Sequence, residues 1–268
     1  MDLKTLSSHW DRWGASDPLW SVLSVPGRRF NGWDETEFFK TGLQEIAGIF
    51  SELDALGLSV TPGRALDFGC GVGRLTSALA DRFTKVDGVD IAPSMVAHSQ
   101  RRFGTDPRMS FFLLQDDNLS LFPSGRYDFI YTAHVLQHME PRYSQRYVQE
   151  FVRVLAPAGV AVVEITTVPY RGTSRQQLII RAVRRRLPAN LTRRLALLLP
   201  DRLKQRLRGS AAEEEPVMEM YGVPEPTMRR WMEQAGGRVV EVLDWARIAD
   251  PGTDWVRRIF VLTRLPHQ

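Results

Sequence analysis

Cysteine is almost absent from this 268-residue chain, and long apolar runs are missing altogether. The single cysteine, Cys70, has no second thiol for an internal disulfide, which is typical of a reducing compartment. No stretch of about 18 consecutive apolar residues occurs, so the sequence excludes a transmembrane helix. Near the N-terminus, charges and tryptophans stand where a signal peptide would carry its apolar core. We therefore expect a cytoplasmic protein.

The net charge is small overall, but positive charge is concentrated in one segment. The formal net charge is +4, whereas residues 171–208 hold eleven Arg and one Lys against a single Asp. This segment alone carries +11, so the remainder of the chain carries −7. Such local basicity argues against a protein that grips nucleic acid over its whole surface.

From residue 64 onward, short apolar strands alternate with amphipathic helices, which predicts an α/β fold with a parallel sheet and right-handed crossovers. The last two strands are joined by a short connection that favours an antiparallel hairpin at the edge of the sheet. The seven predicted strands span residues 65–68, 85–90, 109–115, 127–132, 159–167, 237–245 and 256–265.

Four regions follow from this pattern. They are an N-terminal helical cap (1–60), a ligand-binding core (61–169), a basic helical insertion (170–222) and a segment that completes the core sheet (223–268). The cap contains four of the seven tryptophans and a helix that begins after Asp34, with Glu37 placed to complete a capping box.

A glycine loop follows the first strand, in residues 65–76, ALDFGCGVGRLT. Gly69, Gly71 and Gly73 have a G-x-G-x-G spacing, whereas the dinucleotide fingerprint needs a glycine where this chain has Arg74. No G-K-[ST] follows, so a P-loop is excluded. Asp67, two residues before the loop, would repel a pyrophosphate but can hold an ammonium group. The loop therefore favours a cationic nucleoside such as S-adenosylmethionine.

Acidic residues also end the next two strands. Asp90 lies about 20 residues past the loop, the distance at which a carboxylate reaches ribose hydroxyls. Asp116 and Asp117 follow the third strand, where a carboxylate can accept a hydrogen bond from an adenine amine. Two alternatives stay open: Asp90 caps the helix that starts at Pro93, or the loop glycines only permit tight strand–helix packing.

Five motifs in order resemble those of class I S-adenosylmethionine-dependent methyltransferases. They are DFGCGVGRLT, VDGVDIAPSMV, LLQDD, YDFIYTAHVLQHM and RVLAPAGVAVVEI, which together cover about residues 64–168. The resemblance implies a Rossmann-like, seven-stranded, mainly parallel sheet with an antiparallel edge strand, helices on both faces, and helical cap and lid additions. It also implies a cofactor site of Asp67, Gly69, Gly71 and Gly73 at the methionine end, Asp90 at the ribose, Ile91, Met95, Asp116 and Asp117 at the adenine, and Thr132 and Ala133 facing the methionine moiety.

Two histidines after the fourth strand are candidates for catalysis. The stretch VLQHMEPR resembles small-molecule and sugar O-methyltransferases, in which a histidine at the position of His138 serves as base. A hydroxyl acceptor needs such a base, and the ordinary histidine pKa suits neutral pH. Alternatively, His138 orients a loop or covers the cofactor. His134 and His138 are four residues apart, as in some metal sites, but no third ligand has an evident spacing; dependence on a divalent metal stays open.

For the acceptor side, we expect Trp13, Trp33, Glu164 and Tyr221 to line the pocket. All four N-terminal tryptophans, Trp10, Trp13, Trp20 and Trp33, could stack on an acceptor ring, or they could instead pin the N-terminal segment to the core. The expected reaction is O-methylation of a small molecule, with a sugar, a glycan or a lipid-linked sugar favoured, in carbohydrate or natural-product biosynthesis. An RNA methyltransferase and a non-catalytic, cofactor-binding regulator are the alternatives.

The basic insertion has three interpretations. Residues 174–208 form amphipathic segments that suit a lid or homodimer arm, a contact with anionic membrane or a lipid-linked substrate, or a surface for RNA phosphates. Because the segment has no aromatic residue to stack on bases, nucleic acid is the least favoured partner.

Overall fold

A computed structural model describes residues 1–167, 216, 218–244 and 257–264. The chain divides into two units, one of Met1–Pro169 with Met218–Gln268 and the other of Tyr170–Val217. The basic segment 174–208 lies outside the described residues, so its three interpretations stay predictions.

The first unit is built on a seven-stranded sheet whose spatial order is β3-β2-β1-β4-β5-β7-β6. Strands β1 to β5 pair in parallel, and β7 runs antiparallel to both β5 and β6. The predicted α/β fold, with a mainly parallel sheet and an antiparallel hairpin at one edge, is confirmed. The strands are β1 Arg64–Phe68, β2 Lys85–Asp90, β3 Met109–Leu113, β4 Tyr127–Thr132, β5 Leu155–Thr166, β6 Gly237–Asp244 and β7 Arg257–Arg264.

Helices cover both faces because side chains alternate along the buried strands. In β1, Leu66 and Phe68 join a core cluster formed with α1, α6 and α7. Ala65 of the same strand joins a second cluster formed with α3, α4 and α5. The helices are α1 Leu3–Ser16, α2 Pro18–Val22, α3 Glu35–Ala55, α4 Arg74–Ala80, α5 Pro93–Phe103, α6 Pro141–Val154 and α7 Glu225–Gln234, with a 3₁₀ turn at Leu136–His138.

The N-terminal helix α1 docks on the start of α5. The Asp11 carboxylate accepts from the Ser94 backbone N–H at 2.7 Å, and the Asp11 carbonyl accepts from the Ser94 hydroxyl at 2.8 Å. Asp11 thus accepts hydrogen bonds at the N-terminus of α5, where the N-cap residue, Ala92, makes no side-chain capping bond. This contact places α1 over the ends of the parallel strands.

Helix α3 begins as predicted, with the Asp34 carboxylate accepting from the Glu37 backbone N–H at 2.8 Å. The predicted capping box is only half formed, because the Glu37 carboxylate accepts from the Arg28 guanidinium at 2.7 and 2.8 Å.

Candidate active site

The glycine loop between β1 and α4 has a backbone that only glycine adopts easily. Gly69, Gly71 and Gly73 have φ angles of 78°, 52° and 86°, all in the left-handed region. A Cβ at Gly69 would stand 2.2 Å from Val135 Cγ2, and one at Gly71 would stand 2.8 Å from Val22 Cγ2. The spacing of these glycines is therefore explained by backbone geometry and by the close approach of two side chains.

Asp90 ties the end of β2 to that loop. Its Oδ2 accepts from the Gly71 backbone N–H at 2.9 Å, and its Oδ1 accepts from the Ala92 backbone N–H at 2.8 Å. Burial raises the pKa of the Asp90 carboxyl, while the same backbone donors lower it. Because each carboxylate oxygen can accept a further hydrogen bond, the carboxylate can still receive ribose hydroxyls.

Asp67 lies behind the loop at 1% exposure. Its Oδ2 accepts from the Thr76 hydroxyl at 2.6 Å. Its Oδ1 is buried and has no hydrogen-bond partner in the part of the chain that the structure describes. Burial raises the pKa of Asp67 to about 7, opposed by the Thr76 hydrogen bond and the Arg74 charge. A half-satisfied buried carboxylate of this kind suits a cationic ligand group.

A cavity of about 810 Å³ opens beside the loop, within the range of about 300–1,000 Å³ for small-molecule sites. Eight of the sequence-predicted residues line it: Gly69, Gly71, Asp90, Ile91, Met95, Ala133, His134 and His138. The described wall does not include Asp67, Gly73, Asp116, Asp117, Thr132, Glu164, Trp13, Trp33 or Tyr221.

The end of β3 reaches the cavity through an apolar residue. Leu114 lines the wall, next to the two acids predicted for the adenine. Asp117 is paired with Arg146, and the backbone carbonyl of Asp116 accepts from the Tyr147 hydroxyl at 3.0 Å. The two acids therefore differ in their surroundings, because the Asp117 carboxylate is already paired with a cation, Arg146.

Some tryptophans of the N-terminal cap pack against other residues of the cap, and one lines the cavity. The Trp33 indole N–H donates to the Leu23 carbonyl at 3.1 Å, and the Trp13 ring lies 5.5 Å from Trp20. Trp10 lines the cavity and meets the His138 ring edge-on at 5.0 Å. Of the four N-terminal tryptophans expected from the sequence either to stack on an acceptor or to pin the segment to the core, Trp10 is the one in the described wall.

His138 belongs to a hydrogen-bonded chain of side chains. Its Nδ1 lies 2.9 Å from the Glu219 carbonyl, which can only accept, so Nδ1 carries the proton. Its Nε2, 3.3 Å from the Gln137 amide nitrogen, then accepts. Gln137 in turn accepts from the Thr166 hydroxyl at 3.0 Å. Burial lowers the pKa of His138 to about 4, so the ring is neutral at pH 7.

Tyr221 supports this chain of contacts from outside the described wall. Its backbone N–H donates to the Gln137 carbonyl at 2.6 Å, and its hydroxyl donates to the Glu219 carboxylate. Burial raises the pKa of the Tyr221 hydroxyl, as do the acids beside it.

His134 forms a cluster with Glu164 of β5 and Arg257 of β7. The His134 backbone is left-handed, with a φ of 62°. Its Nδ1 lies 3.1 Å from Arg257 Nη1 and 3.4 Å from Glu164 Oε1. The Glu164 side chain is 2% exposed and lies 3.7 Å from Arg257 Nε. Arg257 lines the cavity although no sequence motif pointed to it.

A second buried ion pair lines the cavity at the start of α4. Arg74 Nη2 lies 2.8 Å from Glu45 Oε2, and the Arg74 side chain is 2% exposed. The Tyr131 hydroxyl donates to the other Glu45 oxygen at 2.8 Å. Arg74 is the residue that breaks the dinucleotide fingerprint, and its partner lies some 30 residues earlier on α3, beyond any local motif.

Across residues 1–167, 218–244 and 257–264, no group of three or more His, Cys, Asp or Glu side chains is placed to hold a metal ion. Within the same residues, every helix is too short or too polar to cross a membrane.

Sequence comparisons place the glycine loop within a known domain. Residues 65–159 match the family model described as a methyltransferase domain. A probable thiol methyltransferase 2 of Arabidopsis thaliana is 31% identical over 102 residues, 38% of this chain and 45% of that protein. A trans-aconitate 2-methyltransferase of Methylobacterium nodulans is 30% identical over 135 residues, 50% of this chain and 49% of that protein. The chain therefore spans about half the length of these curated relatives.

Solved structures share the fold. A Leishmania major S-adenosylmethionine-dependent methyltransferase is 14% identical, with a TM-score of 0.62 over 98% of this chain and 87% of that chain. Magnesium protoporphyrin IX methyltransferase of Synechocystis with bound S-adenosylhomocysteine is 16% identical, with a TM-score of 0.59 over 98% and 100%. Residues 65–159 thus correspond to a methyltransferase domain, on a fold shared with S-adenosylmethionine-dependent methyltransferases.

Proposed function

We propose that this protein is an S-adenosylmethionine-dependent methyltransferase that acts on a small organic acceptor. One observation carries the proposal: the segment that matches a methyltransferase domain also supplies the glycine loop and Asp90 in the wall of the cavity. The residues that match a methyltransferase domain and the residues suited to bind the cofactor therefore lie in the same part of the molecule.

The residues around the loop fit this cofactor. Gly69 and Gly71 line the cavity with a left-handed backbone and no side chains, so a ligand can approach the main chain there. Asp90 offers carboxylate oxygens that suit ribose hydroxyls, and Asp67, which lies behind the described wall and not in it, can favour an ammonium group there through its charge. Apolar side chains that suit an adenine ring line the same cavity: Ile91, Met95, Leu114 and Val135.

Bound S-adenosylmethionine supplies a methyl group on a sulfonium; the acceptor bonds to the methyl carbon while the carbon–sulfur bond breaks and the sulfur keeps its electron pair. The protein's part is to orient the reactants and exclude water, which alone lowers a barrier substantially. Leu6, Trp10 and Val22 of the N-terminal helices line the cavity and thus shield it from solvent.

More specifically, we propose that the methyl group is transferred to an oxygen atom of the acceptor. The sequence favours a hydroxyl of a sugar or related metabolite, with His138 as the base. His138 supports it because the ring lines the cavity and is neutral at pH 7. With Nε2 accepting from Gln137 and a pKa of about 4, however, His138 is a weak base.

A carboxylate oxygen is the second candidate acceptor, because it is already ionised at pH 7 and needs no base. The weak basicity of His138 favours it. Among the relatives, those named for trans-aconitate and for malonyl-[acyl-carrier protein] carry acceptors of this class in their names. The names of the thiol and thiocyanate methyltransferases also indicate small acceptors.

The test begins with calorimetric binding of S-adenosylmethionine to the full chain, and failure of the wild type to bind overturns the proposal. S-adenosylmethionine labelled in its methyl group is then incubated with the protein and an extract of the source organism. Label in small metabolites, glycans or lipids supports the proposal, and label in RNA identifies an RNA methyltransferase instead. Cofactor binding without transfer to any pool identifies a non-catalytic regulator.

A further inference from the structure

We propose that Arg257, with the Nε2–H of His134, binds an anionic group of the acceptor, most simply a carboxylate. This inference rests on the proposed function, and it assigns to that site a class of substrate. Arg257 and His134 both line the cavity, on β7 and just after β4, and both have side chains partly open to it, at 37% and 24% exposure.

The hydrogen-bond pattern makes His134 a donor toward the cavity. Arg257 Nη1, 3.1 Å away, can only donate, so His134 Nδ1 accepts. In that tautomer the ring carries its proton on Nε2. A ring held in this tautomer can offer a hydrogen bond to an acceptor anion but has no free lone pair with which to take a proton.

Glu164 attracts Arg257 from behind, and Arg257 in turn donates to His134 Nδ1. Its carboxylate is nearly inaccessible and lies 3.7 Å from Arg257 Nε and 3.4 Å from His134 Nδ1. At those distances it acts through charge, and its Oε1 has no hydrogen-bond partner in the described part of the chain. The left-handed backbone of His134 is strained, and such strain is found where the surroundings impose a functional geometry.

Arg257 keeps donors available for a ligand. Among the described residues, its contacts are made by Nη1 and Nε, and Nη2 makes none. A guanidinium offers a planar fork that matches a carboxylate, and such charge-assisted bonds are about twice as strong as neutral ones. The other arginine in the described wall, Arg74, is already engaged by Glu45 at 2.8 Å.

The position of Arg257 in the sheet bears on whether the bound anion belongs to the acceptor or to the cofactor. The glycine loop follows β1, and β7 is three strands away in the order β1-β4-β5-β7. At about 4.8 Å per strand, that separation is about 14 Å. The β7 backbone is therefore remote from the glycine loop, and because the Arg257 guanidinium reaches across to His134, the affinity for S-adenosylhomocysteine in the test below distinguishes an acceptor anion from the carboxylate of the cofactor.

The test measures acceptor binding directly. The full chain is saturated with S-adenosylhomocysteine and titrated with small mono-, di- and tricarboxylates, such as phenylacetate and tricarballylate, and with their matching amides. At least one carboxylate is expected to bind about tenfold or more tightly than its amide, and Arg257→Gln to lose that difference. Arg257→Lys keeps the charge without the fork and is expected to retain part of it.

Arg258→Gln is the matched control, because it removes the same charge from the next residue of β7. Its side chain points to the opposite face and pairs with Asp244 at 2.7 Å. This variant should bind the carboxylates like the wild type. Affinity for S-adenosylhomocysteine should be unchanged in all variants.

Three outcomes overturn the inference. They are equal affinity for each acid and its amide, an unaltered preference in Arg257→Gln, or loss of S-adenosylhomocysteine affinity in that variant, which would assign Arg257 to the cofactor. If the wild type binds S-adenosylhomocysteine normally while no carboxylate binds, the anionic acceptor is refuted and the methyltransferase proposal stands. Failure of the wild type to bind S-adenosylhomocysteine counts against both.

Discussion

Replacing Asp67 with Asn should stabilise the ligand-free protein above neutral pH and weaken its binding of S-adenosylmethionine. The Asp67 carboxyl is 1% exposed, and only one of its oxygens has a hydrogen-bond partner in the described part of the chain, the Thr76 hydroxyl. Burial raises its pKa from 3.8 to about 7. Asn has nearly the same shape, can accept from Thr76 and cannot ionise.

The direction of the pH effect follows from that shift. The folded protein holds the Asp67 proton more tightly than the unfolded chain does. As the pH rises from about 4 to about 7, the unfolded chain loses this proton first, and the free energy of unfolding falls by about 1.4 kcal/mol per pH unit. The upper limit is about 4 kcal/mol, reached above pH 7 and absent below pH 3.8.

Urea unfolding of the two ligand-free proteins at pH 5 and pH 8 measures this effect. The stability advantage of Asp67→Asn over the wild type should grow by about 2–3 kcal/mol between those pH values, because only the wild type carries the titrating group. Calorimetric titration with S-adenosylmethionine should show weaker binding by the variant. An advantage that is equal at both pH values, or wild-type affinity in the variant, would refute the reasoning.

Three further substitutions test the site. Gly69→Ala should cost about 2 kcal/mol or more of stability, seen as a lower Tm, because its Cβ would stand 2.2 Å from Val135 Cγ2 at a φ of 78°; an unchanged Tm would contradict this. Asp90→Ala should lower affinity for S-adenosylhomocysteine about tenfold or more in calorimetry, because the ribose and the Gly71 backbone N–H lose their acceptor; wild-type affinity would remove Asp90 from the site. His138→Ala should slow single-turnover methyl transfer with little effect on cofactor affinity if it is the base, and an unchanged rate would exclude that role.

Local signals made the glycine loop and the strand ends beside it predictable. Hydrophobic periodicity predicts the alternating strands and helices. The spacing of Gly69, Gly71 and Gly73 indicates a left-handed backbone that other residues rarely adopt. Asp90 is bonded to the backbone N–H of Gly71 because parallel strands end at one edge, which the order of elements already implies.

The rest of the cavity wall was less predictable, because its residues come from distant parts of the chain. The sequence offered four N-terminal tryptophans and favoured Trp13 and Trp33, whereas the described wall contains Trp10, since the docking of α1 on α5 decides which face of the helix turns inward. Glu164 was expected in the wall and instead lies behind it, against Arg257.

What the sequence determined by itself is the α/β fold, the glycine loop and the acids at the strand ends, because each depends on local periodicity or backbone conformation. Tertiary structure decided the rest. The antiparallel pairing of β7 with β5 sets Arg257 opposite Thr166 and within reach of Glu164 and His134. No motif encodes such a contact, because it joins residues more than 90 positions apart through the register of the sheet.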